Sequence, residues 1–176
     1  MPRPFPVNPT STIPTTPTNQ ILLGIPDGLP GIRQSLQYMR RYVEQYKTHP
    51  QIRELALSLV RRLPQKDFTS EVDTLFRFVQ TRIRYVRDVH EIETIQTPVK
   101  TLEYGQGDCD DKATLLAALL QSLGHPTRFH AMGFRPGHVE HVLLEVKKGA
   151  DWVALDATEP HTLGWRPPGI RQSLYG

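Results

Sequence analysis

The chain has 176 residues, 22% of them charged and 38% hydrophobic, with a net charge of +3 and a pI near 9.1. That balance suits one soluble globular domain with a core of its own. The basic residues are scattered, apart from pairs such as Arg40-Arg41, and no apolar run is long enough to cross a bilayer, so neither nucleic acid nor membrane is an expected partner.

Residues 1–24 hold six prolines, six Ser/Thr and a single charge, Arg3. The segment reads as an extended arm with no core, and it lacks the apolar stretch of a signal peptide. After the turn signals at Pro26-Asp27-Gly28, Ile32, Leu36, Met39, Val43 and Tyr46 step at helical spacing. His49-Pro50 breaks that helix. Ile52, Leu55, Leu59 and Leu63 predict a second, stopped by Pro64. Ser70 with Asp73 predicts a capping box for a third, whose buried stripe is Val72, Leu75, Phe76, Val79 and Ile83. Residues 84–104 read as irregular, with a short strand at Arg84–Asp88 and a turn at Gln96-Thr97-Pro98.

A fourth helix follows, and it carries the only cysteine. In Gly105-Gln106-Gly107-Asp108-Cys109-Asp110-Asp111-Lys112, two glycines precede Cys109 and three acids bracket it. Ala113, Leu116, Ala117, Leu120 and Leu123 then recur at helical spacing until Gly124 ends the run. Cys109 is thus expected at the N-terminus of a buried helix, where unpaired N–H groups favour a thiolate and can hold an oxyanion. Beyond Gly124 the period falls to two. Thr127–Phe134, Val139–Val146 and Trp152–Asp156 are predicted strands of an antiparallel sheet under that helix. The expected fold is therefore α+β, with an arm over 1–24, a domain over 25–165 and a tail over 166–176. Pro30-Gly31-Ile32-Arg33-Gln34-Ser35-Leu36 recurs word for word at 168–174, which reads either as chance or partial duplication or as two segments docked on equivalent surfaces of neighbouring subunits.

A thiol attacks a carbonyl as thiolate and so needs a base; histidine serves when an acceptor fixes its tautomer. Of seven histidines, His141 has the best setting, at the head of His141-Val142-Leu143-Leu144-Glu145-Val146. If the His141, Leu143 and Glu145 face meets the cysteine helix, the imidazole lies near Cys109. Asp156, ending Trp152-Val153-Ala154-Leu155-Asp156, can face that imidazole or close an Asx turn.

Gly107-Asp108-Cys109 opening a helix, His141 heading a strand 32 residues on, and Leu155-Asp156-Ala157-Thr158 15 residues after that resemble the transglutaminase-like cysteine peptidases, above all small bacterial and bacteriophage-associated members. The resemblance implies a papain-like core, Cys109 as nucleophile, His141 as base and acid, and Asp156 as its orienter. It also implies an oxyanion donor, for which Gln96 is the candidate and Gln106 the rival. The expected reaction is acyl transfer from a protein or peptide amide through a thioester, with water or an amine as acceptor. The alternative is a catalytically idle assembly module of a phage particle. Partners would then be further copies or phage structural proteins, met through the arm and tail. The corresponding location is a bacterial cytoplasm or a virion. No cofactor is expected. Asp108, Asp110 and Asp111 supply oxygen ligands of the kind calcium takes, but they lack the spacing of a calcium loop and read as helix-terminus acids, one of them capping and one pairing with Lys112 or a nearby arginine. The paired spacing of a zinc site is also missing.

Overall fold

A computed structural model describes residues 20–23, 28–87 and 93–176. Three helices come first: α1 (Leu29–Tyr46), α2 (Pro50–Val60) and α3 (Phe68–Arg82). Their buried faces are largely the ones the helical spacing predicted, with Leu36, Met39, Val43 and Tyr46 on α1 and Val72, Leu75, Phe76 and Val79 on α3. The start of α3 corrects the sequence expectation. Asp67, not Ser70, is the N-cap, its carboxylate accepting from the Ser70 N–H at 3.1 Å and from the Ser70 hydroxyl at 2.7 Å. A carboxylate at Asp67 offers two acceptors, where the Ser70 hydroxyl offers a weaker one a turn too late.

The stretch read as irregular is built of short elements. β2 (Arg84–Tyr85) runs parallel to β4 (Gln106–Gly107), and β3 (Glu93–Gln96) pairs antiparallel with β1 (Gln20–Leu23). Between them, α4 (Pro98–Tyr104) replaces the expected turn. Thr97 caps it by accepting from the Lys100 N–H, and Gly105 closes it in the left-handed region at φ 62°. Of the arm over residues 1–24, only β1 lies within the described residues.

α5 (Cys109–Ser122) is the central element. Every residue from Asp110 to Leu120 is buried. A helix this apolar all round has no solvent face, and α1, α2, α3 and α4 enclose it on one side. On the other lies an antiparallel sheet of order β7-β6-β5-β8, made of β5 (Thr127–Gly133), β6 (His141–Lys148), β7 (Asp151–Leu155) and β8 (Gln172–Tyr175). Val142, Leu144 and Val146 face the α5 core, while Leu143 joins Met132 and Ala154 in a second cluster on the far face. The α+β class and the small antiparallel sheet are as expected. β8 is an addition: Gln172–Tyr175, foreseen as part of a tail, covers the edge of β5. The two identical heptapeptides do not occupy equivalent surfaces, because the first lies in α1 and the second ends in β8. Among the described residues, no helix is long and apolar enough to cross a membrane.

The far face of the sheet is held by charge. Glu145 is fully buried and accepts from Arg128 Nε at 2.6 Å, from Arg166 and from His130 at 3.2 Å. The Arg128 guanidinium is stacked between the Trp152 and Tyr175 rings, at 4.2 and 4.3 Å. Burial pushes the Glu145 carboxyl up, but the hydrogen bonds from His130, Arg166 and Arg128 outweigh it and bring the pKa to about 2. This folded value lies below that of an unfolded glutamate, so the network stabilises the protein above about pH 4.3 and is lost as pH falls toward 2. Acid titration of the unfolding free energy should therefore show a decline between about pH 5 and 2. Glu145→Gln should be less stable at pH 7 and should lose much of that slope. An unchanged acid slope in the variant would contradict the assignment.

Candidate active site

The chain enters α5 through a tight corner. A Cβ at Gly107 would sit 2.6 Å from the Asp111 Cβ, so only glycine fits there. Asp108 is the N-cap and Asp111 the third helical residue, and each side chain accepts from the other's backbone N–H, at 3.1 and 3.3 Å. This is an Asp-Asp version of a capping box. Asp111 also accepts from the Gln96 backbone N–H at 2.8 Å and from the Gln96 Nε2 at 2.6 Å. One buried carboxylate thus ties β3, the Gly107 corner and the first turn of α5 together.

Cys109 is the first residue of α5 and is half-buried. With Asp108, Asp110, His141 and Val142 it lines a cleft of about 120 Å³, whose other walls include Ile32, Leu36 and Met39 of α1. His141 reaches this cleft by a different route from the one expected. The face of β6 that meets α5 carries Val142, Leu144 and Val146. His141 reaches the cleft because it is the first residue of the strand, adjacent to Val142, whose N–H is directed at the sulfur. The His141 Nε2–H donates to Asp156 Oδ2 at 2.8 Å. Asp156 Oδ1 accepts from the Thr158 N–H at 3.1 Å and the Thr158 hydroxyl at 2.6 Å. The Asx turn and the imidazole contact therefore coexist, one on each oxygen. Burial disfavours the charged Asp156, but His141 and then Thr158 hold its carboxyl below the usual range.

The surroundings of Cys109 work against the thiolate that a helix N-terminus favours. Burial pushes the Cys109 thiol well above its ordinary value, and the Asp110 and Asp108 charges add to this. The acids do not all point away from the sulfur: Cys109 Sγ donates to Asp110 Oδ1 at 3.4 Å. Cys109 and His141 share the cleft with no hydrogen bond between them among the described residues.

Gln96, the expected oxyanion donor, is turned toward Asp111. Its amide nitrogen is engaged by Asp111, with Gln106 O at 3.5 Å, and Gln96 does not line the cleft. The side chain of Gln106 is held by Arg84, which donates to its Oε1 at 2.6 Å. Lys112 does not pair with the first-turn acids. It is fully buried and donates to Ile83 O at 2.6 Å. Burial lowers its pKa to about 8, against the opposing pull of Asp156 and Glu159. Nothing in the sequence period marks it as buried, because lysine suits a first turn either way. Thr158 was legible in principle, since Asp-x-Thr is an Asx-turn pattern.

Among the described residues, Asp108, Cys109 and Asp110 bring ligand atoms within 4.8 Å of one another. Two carboxylates and a thiol do not match the all-oxygen shell calcium takes, and Asp111 is turned into the capping network.

The model of the transglutaminase-like superfamily matches residues 55–157. The chain belongs to this superfamily, and the match takes in Cys109, His141 and Asp156. No curated protein matches. Among solved structures, a candidate cysteine protease from Cytophaga hutchinsonii is similar at 19% identity and a TM-score of 0.57, over 82% of this chain and 52% of that one. Calcium-bound LapG of Legionella pneumophila is similar at 18% identity and a TM-score of 0.54, over 77% of this chain and 80% of LapG. This chain spans about half the length of the Cytophaga protein. At such identities the likeness establishes the fold alone.

The Asp111 junction has a measurable consequence. Asp111→Ala would strand the buried Gln96 amide and open the capping box, and should cost about 3 kcal/mol in urea denaturation. A loss within 0.5 kcal/mol, about what an ordinary surface substitution causes, would show that the junction is dispensable.

Proposed function

We propose that the protein is a cysteine-dependent amide hydrolase or acyltransferase acting on a protein or peptide, with Cys109 as nucleophile, His141 as general base and acid, and Asp156 as the group that orients His141. The observation that carries this reading is the His141–Asp156 hydrogen bond, made by an imidazole that lines the same cleft as Cys109. Asp156 accepts a hydrogen bond from the Nε2–H, which fixes the tautomer and leaves Nδ1 as the nitrogen able to accept the thiol proton. A carboxylate held ionised beside the ring also stabilises the imidazolium once it forms.

Burial and the Asp110 and Asp108 charges favour the thiol at Cys109, so in this reading the charge pair forms as the substrate arrives. His141 removes the Cys109 proton as sulfur adds to the amide carbonyl. The tetrahedral intermediate collapses to a thioester when His141 returns a proton to the departing amine. Water or a primary amine then accepts the acyl group, giving hydrolysis or transamidation. The Cys109 N–H, at the first position of α5, has no acceptor within the helix and can donate to the developing oxyanion.

Cys109→Ala should abolish turnover of a peptide substrate and leave the near-UV circular dichroism unchanged. His141→Ala should lower kcat by roughly 10²–10⁴-fold. Amide hydrolysis retained by Cys109→Ala would overturn the assignment.

A further inference from the structure

We propose that the Thr158 hydroxyl is a positioning group for His141, acting through Asp156, and that Gln80 of α3 holds the turn that presents it. The proposal rests on the catalytic reading above and extends it beyond Cys109, His141 and Asp156. Its basis is the way the two oxygens of Asp156 are shared. The side chain is almost wholly buried, and its carboxylate plane can turn about the Cβ–Cγ bond. Oδ2 accepts from His141 Nε2 at 2.8 Å. Oδ1 accepts from the Thr158 N–H at 3.1 Å and from the Thr158 hydroxyl at 2.6 Å. A rotation that takes Oδ2 away from the imidazole must therefore break both contacts on Oδ1. The N–H contact by itself closes the Asx turn. The hydroxyl is surplus to the turn, and at 2.6 Å it has the length of a charge-assisted O–H···O⁻ bond. What it adds is a fixed direction for Oδ2, and through Oδ2 for the imidazole and its Nδ1.

Thr158 can do this only if its own backbone is held. It lies in the turn after β7, next to the exposed Glu159. α3 supplies the anchor. Gln80 Nε2 donates to Glu159 O at 2.6 Å and to His161 O at 3.0 Å. Gln80 Oε1 accepts from Arg77 Nη1 at 2.9 Å, which leaves the amide nitrogen for the two carbonyls. Arg77 is paired in turn with Asp73 at 3.4 Å, one turn back along the helix.

Another face of α3 buries Val72, Leu75, Phe76 and Val79 in the core that surrounds α5. The turn carrying Thr158 is thus tied to the same core that fixes Cys109. The helix that bears the sulfur and the sheet that bears the imidazole are registered against each other through α3, in addition to their direct packing.

The test follows acetylation of Cys109 in the full chain by p-nitrophenyl acetate, with the rate of Cys109→Ala subtracted. In this reaction the sulfur displaces p-nitrophenolate and His141 takes the thiol proton. Thr158→Val keeps the side-chain shape and the backbone N–H and removes only the hydroxyl. It should slow acetylation by roughly 10- to 100-fold, the scale of a small misplacement of a catalytic group, and Thr158→Ser should restore the rate to within about 2-fold of wild type. Gln80→Leu should slow acetylation by less. In a His141→Ala background neither Thr158→Val nor Gln80→Leu should slow it further, because no imidazole remains to be positioned. A role in folding alone would lower the rate by the same factor in both backgrounds. Equal rates in wild type and Thr158→Val, or equal losses in the two backgrounds, would overturn the proposal. An unchanged rate in Gln80→Leu would overturn the part given to α3. A rate indifferent to His141→Ala alone would remove the catalytic reading, and this proposal with it, so the two failures are distinguishable.

Discussion

A helix with no exposed face must have every polar group along it satisfied by its neighbours, and this requirement organises the molecule around α5. Leu115, Leu116, Leu119 and Leu120 bury their side chains completely and supply the hydrophobic drive. The polar groups then dictate what surrounds them. Asp111 draws in Gln96 of β3 and the backbone of Asp108. The Lys112 ammonium takes the Ile83 carbonyl where α3 ends, and Arg53 of α2 donates to the Ser122 carbonyl at the far end. Each contact stitches a different element to the helix. The helix tip is consequently fixed in space before any chemistry is asked of it, which is the condition for a preorganised site.

That fixation has an electrostatic cost at Cys109. The acids that cap the helix favour its dipole but oppose negative charge on sulfur. With Asp110 accepting from the thiol and Asp108 close by, the site resists a standing thiolate. The His141–Asp156 pair lies on a different wall, the sheet, and its carboxylate is ionised and anchored by Thr158. Structural charge and reactive charge are thus divided between two elements. The helix acids hold the backbone, and in the proposed reaction the sheet pair is the one that takes up and returns a proton.

The parts legible in the sequence were those with a strong period. α5 announced itself through its leucines and Gly124, and three strands through alternation. The order of cysteine, histidine and aspartate carried the family. What was not legible depended on contacts between distant residues. α4 is seven residues long and carries few periodic positions, so Thr97 read as a turn residue when it was a cap. The Gln96 amide looked available because a sequence does not show that Asp111, fifteen residues away, claims it. The route of His141 into the cleft was misjudged for a related reason. Alternation identifies two faces of a strand but not which face meets the helix, and both faces of β6 are apolar enough to be buried.

The repeated heptapeptide isolates this limit, because residue identity is held constant. In α1, Pro30 sits in the first turn, where its missing N–H costs nothing, Gly31 is buried, and the Ser35 hydroxyl donates back to Gly31 O at 3.3 Å. In the second copy, Pro167 precedes Pro168, which disfavours helical backbone at 167. Gly169 takes φ 77°, a left-handed turn. The Arg171 N–H then finds Gly133 O at 2.9 Å, and Gln172–Tyr175 pair with β5. Ser173, whose counterpart Ser35 bonds its own helix, instead meets His130 Nε2 at 2.9 Å. Leu36 and Leu174 both pack on the main core, one from a helix and one from a strand. The leucine meets the same core through two backbones, while Ile32 packs on that core and Ile170 on the second cluster. The choice is made by what flanks them and by whether an unpaired strand edge is on offer, as it is at β5.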